Sequence, residues 1–219
     1  MRWSDLSPVW QACLEEAWQA YKCGSVPIGA VIAGPKGEII SRGRNHIYDD
    51  THLPGQVSRN QLAHAELNAL LHFDRNLHNQ RSCAIYTSME PCPLCMGAIY
   101  MMGIGEVHFA ARDAYAGSTN LLGTTEYYSR KDIRAHGPSF LELESVSIAL
   151  IIAFDLSHRN LPFHARMPEV LAEWQKVCPD GVRFGFHLWE EDYLTKAAQA
   201  GATAQQAFDL MFFEMENIH

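Results

Sequence analysis

Two short motifs constrain this 219-residue chain more than any other feature: His64-Ala65-Glu66 and, with 24 residues between Glu66 and Pro91, Pro91-Cys92-Pro93-Leu94-Cys95. Cys92 and Cys95 stand three apart, a spacing that puts both on one face of a helix. Both fall in the first turn after Pro91, where unpaired backbone N–H groups and the helix dipole favour thiolates over thiols. Two thiolates and one imidazole form a borderline-soft donor set suited to Zn²⁺. Three protein ligands leave the fourth tetrahedral position for water, as in catalytic rather than structural sites. No fourth ligand stands at convincing spacing, and His72 and His78 are the nearest alternatives.

Glu66 has a different role. His64 and Glu66 are two apart, about 200° around a regular helix. They face one metal only if His64 lies at the N-cap, where the backbone is not yet helical. A carboxylate beside a zinc-polarised water can then take its proton and pass it on. Alone, Cys-x-x-Cys also fits a redox pair, and His-x-Glu arises by chance. Jointly, with room between them for most of a helix and a strand, the two motifs point to metal-dependent chemistry.

The rest of the chain reads as an alternation of strands and helices. Residues 5–23 form a first helix, with Ser7 as N-cap, Pro8 at its first position and Gly24 ending it. Residues 28–33 and 38–43 form a hairpin around Gly34-Pro35-Lys36-Gly37. Residues 46–61 are a loop, and 62–73 a helix with Asn60 as its cap and Leu67, Leu70 and Leu71 facing a core. A strand over 84–87, a helix from Pro91 to Met102 closed by Gly103, and a strand over 106–110 follow. The polar, Gly-rich stretch 111–139 has room for a short helix near 124–134, and the alternation in Phe140–Val146 predicts a strand. Ile148–Leu156 fits strand or helix by pattern alone, and further helices are expected over 168–177 and 203–216. Such an order suggests a central sheet flanked by helices.

Charge bears on partners. Residues 1–167 carry 14 Lys/Arg and 16 Asp/Glu, whereas 168–219 carry three and nine. Phosphate backbones need clustered Lys/Arg, so long nucleic acid is a disfavoured partner. Arg130, Lys131 and Arg134 are the best basic patch, read here as a solvated helix face. Of the six cysteines, Cys13, Cys23, Cys83 and Cys178 are read as plain thiols. The apolar run Ile148–Phe154 is far short of the roughly 20 residues that cross a bilayer, and the first ten residues lack a signal-peptide stretch. A cytoplasmic protein is expected.

Several stretches together resemble the cytidine deaminase-like superfamily, with similarity to its branch of bacterial tRNA adenosine deaminases and guanine deaminases. They are Val26–Val31, Gly43-Arg44-Asn45, His64-Ala65-Glu66, Met89–Ala98 and Phe109–Ala114, in family order between Val26 and Asp155. The joint motif is that of the zinc deaminases. The resemblance implies an α/β fold: a three-layer α/β/α sandwich with a central five-stranded mixed sheet, its last two strands parallel, and a helix beginning in Ile148–Leu156. It implies that His64, Cys92 and Cys95 bind Zn²⁺, that Glu66 is catalytic, and that Asn45, Ala65 and Asp113 contact substrate. Asn45 could instead be a turn residue, and Asp113 a turn carboxylate capping backbone N–H groups. A homodimer is implied as well.

The chain departs from the family pattern in its long 46–61 loop, where Arg59–Leu62 replaces the usual Asp-Pro-Thr, and in its acidic end. Phe184, Phe186, Trp189, Phe212 and Phe213 are read as core rather than as a substrate lid. The expected organisation is a zinc deaminase domain over 1–160 and a C-terminal helical extension over 161–219 packed on it. The expected activity is zinc-dependent hydrolytic deamination of a nucleobase, nucleoside or related small amino-heterocycle. The rivals are a tRNA adenosine-to-inosine deaminase and a non-catalytic zinc-binding module.

Overall fold

A computed structural model describes residues 1–217. Strands β1 (Gly29–Ala33) and β2 (Ile39–Arg44) form the antiparallel hairpin, closed by a turn in which Gly37 takes a φ of 78°. Strand β3 (Ala84–Met89) pairs antiparallel with β1. Strands β4 (Glu106–Ala111) and β5 (Arg134–His136) continue the sheet in parallel, giving the order β2-β1-β3-β4-β5.

Alternate side chains leave opposite faces of a strand, and the sheet feeds two cores. Ile32, Ile85 and Val107 pack with α2 (Ala65–Leu71) and α3 (Pro93–Met102) on one face. Val31 and Ala110 pack with α1 (Pro8–Lys22) and α4 (Leu141–Ser157) on the other. The Ser7 hydroxyl accepts the Trp10 N–H at 3.4 Å, which caps α1 as expected. Two glycines set the layer spacing. A Cβ on Gly29 would collide with the α1 backbone at Cys13, and one on Gly43 with the α2 backbone at Ala65. The three-layer α/β/α sandwich with a five-stranded mixed sheet is therefore present.

Four local expectations fail. Phe140–Val146 is not a strand: α4 begins at Leu141 and runs 17 residues. Its alternation is misleading because α4 is buried from Leu143 to Asp155, so polar Glu144, Ser145 and Ser147 lie inside and blur the helical period. Residues 124–131 are turns and bends rather than a helix, and the fifth strand is β5, which starts at Arg134. The basic patch is no helix face either. Arg130 pairs with Glu126, Arg134 with Glu106, and the Lys131 ammonium donates to the carbonyls of Tyr100 and Met101 at the end of α3. Lastly, α2 starts at Ala65 rather than 62; Asn60 accepts the Leu62 N–H in the turn before it, and Leu71 is exposed.

Beyond α4, a turn over Pro162–Arg166 leads to α5 (Met167–Val177), α6 (Pro179–Glu190), α7 (Tyr193–Gln199) and α8 (Ala204–Asn217). Residues 218 and 219 of the expected extension lie outside the described residues. Phe208 and Phe212 of α8 are buried in the same core as α1, and Asp209 accepts the Trp3 N–H at 2.8 Å. Gly181 and Gly185 bring α6 against Ser145, Ala149 and Ile152 of α4.

Glu144 joins these parts. Its Oε1 accepts both the backbone N–H and the Nε–H of Arg112, at 3.2 and 3.0 Å, while the Arg112 carbonyl accepts from Trp174 Nε1 at 3.1 Å. Glu144→Ala strands the Arg112 backbone donor and should lower stability by about 1–3 kcal/mol, read as an earlier urea midpoint. An unchanged midpoint would remove Glu144 from this role.

Candidate active site

The two motifs meet at the carboxyl ends of the parallel strands, where open α/β sheets place their sites. His64 is the N-cap of α2 (φ −75°, ψ 152°) and Cys92 the N-cap of α3 (φ −70°, ψ 173°), both in extended conformation. This resolves the 200° problem: His64 leaves the helix axis before the helical turn begins, while Glu66 lies within it. Cys95 sits in the first turn of α3.

His64 Nδ1 lies 3.6 Å from Cys92 Sγ and 3.4 Å from Cys95 Sγ, and all three donor atoms fall within 4.8 Å of one another. Tetrahedral zinc bonds to sulfur and nitrogen of roughly 2.3 and 2.0 Å put such donors roughly 3.6 Å apart. The donor set and its spacing thus fit zinc. His72, the alternative ligand, is committed elsewhere: its ring nitrogens meet the carbonyls of Asn68 and Pro54 at 3.0 and 3.1 Å. His78 is outside the cluster.

The electrostatics are those of a charge-sharing group. The Cys95 hydrogen bond, with His64 beside it, lowers the Cys92 thiol to about 4, whereas Cys92 and burial push the Cys95 thiol up. Burial works against charge on His64, but the Cys92 side chain and the Glu66 carboxylate outweigh it and raise the imidazole. Glu66 is 3% exposed. Its carboxylate accepts from Thr87 Oγ1 at 3.2 Å and from Cys95 Sγ at 3.3 Å. Burial raises its pKa, against the pull of His64, which moves it in the direction that suits a proton shuttle near neutral pH.

The cluster opens into a cavity of about 470 Å³ that also takes in Asn45, Ala65 and Asp113. Asn45 is buried, and its Oδ1 accepts from Ser25 Oγ at 2.7 Å and from the Ile47 N–H at 3.0 Å. The oxygen is fully used, so only the Nδ2 donors remain for a ligand. Asp113 Oδ1 accepts the N–H groups of Tyr115 and Ala116 at 3.0 and 2.9 Å, the turn-capping arrangement, and lines the cavity as well. Burial raises its pKa despite these two bonds.

Sequence reasoning missed the far wall, formed by Phe163, Arg166, Val170 and Trp174 with Ile151 of α4. Met167, Val170 and Trp174 do form an i, i+3, i+7 stripe, but a stripe does not say what it faces. None of the five aromatics singled out earlier lines the cavity: Phe184 and Phe212 are core, and Phe213 is 62% exposed. The wall is tied down by the Phe163 N–H donating to Tyr48 Oη at 3.1 Å, and by His164 Nδ1 at 2.7 Å from Asp155. The 46–61 loop is likewise latched, with Arg44 and Asp49 paired at 2.6 Å and Asn68 bonded to both polar backbone groups of Val57.

Residues 4–111 match the family model described as the cytidine and deoxycytidylate deaminase zinc-binding region. A tRNA-specific adenosine deaminase of Aquifex aeolicus is 33% identical over 105 residues, 47% of this chain and 64% of that protein. A guanine deaminase of Bacillus subtilis is 38% identical over 87 residues, 39% of this chain and 50% of that protein. The chain therefore spans less than two thirds of the length of these relatives. The guanine deaminase structure from Nitrosomonas europaea superposes with a TM-score of 0.52 at 22% identity, covering 68% of this chain and 85% of that one, and shares its fold.

The geometry separates binding from proton transfer. His64→Ala, Cys92→Ala and Cys95→Ala should each lose zinc on dialysis, whereas Glu66→Gln keeps it, as metal analysis would read. Full zinc content in all three ligand variants would move the metal elsewhere.

Proposed function

We propose that this chain, whose residues 4–111 match the model of the cytidine and deoxycytidylate deaminase zinc-binding region, catalyses hydrolytic deamination of a nucleobase, nucleoside or related small amino-heterocycle, releasing ammonia. His64, Cys92 and Cys95 would hold zinc, which when bound supplies a polarised water with a pKa near 7. Glu66 would take a proton from the attacking water and deliver it to the ring nitrogen, then take the second proton from the hydroxyl so added to the ring and hand it to the departing amino group. Water thus replaces the amino group with oxygen, and ammonia leaves. Asn45 offers donors to an acceptor on the ring, the Ala65 N–H lies at the free helix start, and Phe163 and Trp174 supply flat apolar walls.

One observation carries this reading: a buried carboxylate, Glu66, stands beside the His-Cys-Cys cluster inside a cavity of small-molecule size, about 470 Å³. A purely structural zinc module needs no general base there. The wall from 163–174 and the acidic surplus of residues 168–219 favour a small ring over a long polyanion. The tRNA reading draws support from the similarity to tRNA-specific adenosine deaminases such as that of Aquifex aeolicus.

In this proposal residues 1–160 form the deaminase unit and the helices after them its outer wall. Leu94 and Met101, exposed seven residues apart on α3, support a homodimer. No helix among the described residues is long and apolar enough to cross a membrane, and a cytoplasmic setting suits the free thiols.

Glu66→Ala should cut ammonia release roughly 10²–10⁴-fold while zinc stays bound. The assay panel holds guanine, adenine, cytosine, their nucleosides, aminated triazines and pterins, and a tRNA anticodon stem-loop. Unchanged turnover would sink the mechanism, and release from the stem-loop alone would replace the small-ring reading with the tRNA one.

A further inference from the structure

A second group of metal-ligating side chains lies at the other end of the sheet. Glu106 and His108 are two apart on β4 and share a face, while His136 on β5 is the register partner of His108. Glu106 opens β4 and Ala111 closes it, so at about 3.3 Å per residue His108 stands about 10 Å and Glu106 about 16 Å along the strand from the end that serves the cavity.

The rings here are aligned by the sheet itself. Tyr86, His108 and His136 are successive register partners on β3, β4 and β5. His108 stacks on Tyr86 with centroids 4.5 Å apart and planes 7° apart, and on His136 at 4.7 Å and 21°. That is the strand spacing, and it sets the two imidazoles side by side. His108 Nε2 already meets Glu106 Oε2 at 3.0 Å, and one nitrogen from each histidine and one Glu106 oxygen fall within 4.8 Å of one another. The other Glu106 oxygen is held by Arg134, which fixes the carboxylate without occupying the side turned to the histidines.

We propose that Glu106, His108 and His136 form a second, surface site for a divalent transition ion, distinct from the His64–Cys92–Cys95 centre. Two imidazoles and one carboxylate suit zinc, nickel or copper rather than magnesium or calcium, which prefer all-oxygen shells. His136 is exposed, and Glu106 and Tyr86 border a cavity of about 410 Å³, so solvent ligands have room to complete the shell. The ion replaces the proton that His108 shares with Glu106, and it clips β5 to β4. β5 has only three residues, all exposed, so its attachment gains most from such a bridge. That strand also anchors the return of the 112–133 connection, which carries Asp113, Tyr115 and Ala116 at the cavity.

The test is zinc uptake by the full chain in equilibrium dialysis, read by metal analysis, with thermal melting alongside. Wild type should hold one more equivalent than His136→Ala, and, once the His64–Cys92–Cys95 centre is loaded with its one equivalent, further zinc should raise the melting temperature of wild type but not of the variant. Both substitutions used are at exposed histidines, and His52→Ala, away from the cluster, should keep the wild-type uptake. Equal uptake by wild type and His136→Ala, or an equal loss in His52→Ala, would overturn the site.

Discussion

Everything at the cavity depends on two helices that begin at the same place. The starts of α2 and α3 converge beside the end of β3, and each first residue is a cap rather than a helical residue. A cap has the freedom to aim its side chain along the axis, and the unpaired N–H groups behind it stabilise negative charge. Two side chains 28 residues apart, His64 and Cys92, thereby reach one point. The close seating of α2 and α1 on the sheet rests on the bare backbones of Gly43 and Gly29. A layer held a Cβ further away would carry His64 and Glu66 with it.

The far wall is positioned by polar contacts rather than by apolar packing alone. Glu144 collects the end of β4 through Arg112, whose carbonyl in turn holds the Trp174 indole. Asp155 and Tyr48 hold the turn that carries Phe163. Paired buried polar groups specify one arrangement more sharply than greasy contact does, and these pairs sit behind the wall of the cavity.

Much of this was legible in the sequence, for identifiable reasons. The N-cap placement of His64 followed from the angle between positions two apart on a helix. The hairpin and the closure of α3 by Gly103 followed from turn chemistry, and Gly103 does take a φ of 80°. The failures are equally physical. The β5 strand is three exposed residues with no apolar pattern to announce it. Helix α4 imitated a strand because a helix enclosed by the sheet on one side and α5 and α6 on the other has no wet face to give it a period. The cavity wall escaped because nothing in the sequence marks what Phe163 and Trp174 face; that depends on where the chain returns after α4.

The enclosure of α4 also bears on how the chain behaves in water. Ile148, Ile151 and Ile152 are covered by Met167, Val170, Trp174 and Val182. A chain ending near residue 160 would present that stripe to solvent as a contiguous apolar patch, the kind of surface that drives self-association. The helices that cover it carry nine acidic and three basic residues between 168 and 219, and added Asp and Glu are the charges that most favour colloidal stability. The acidic surplus thus doubles as a solvation coat over a helix buried from Leu143 to Asp155.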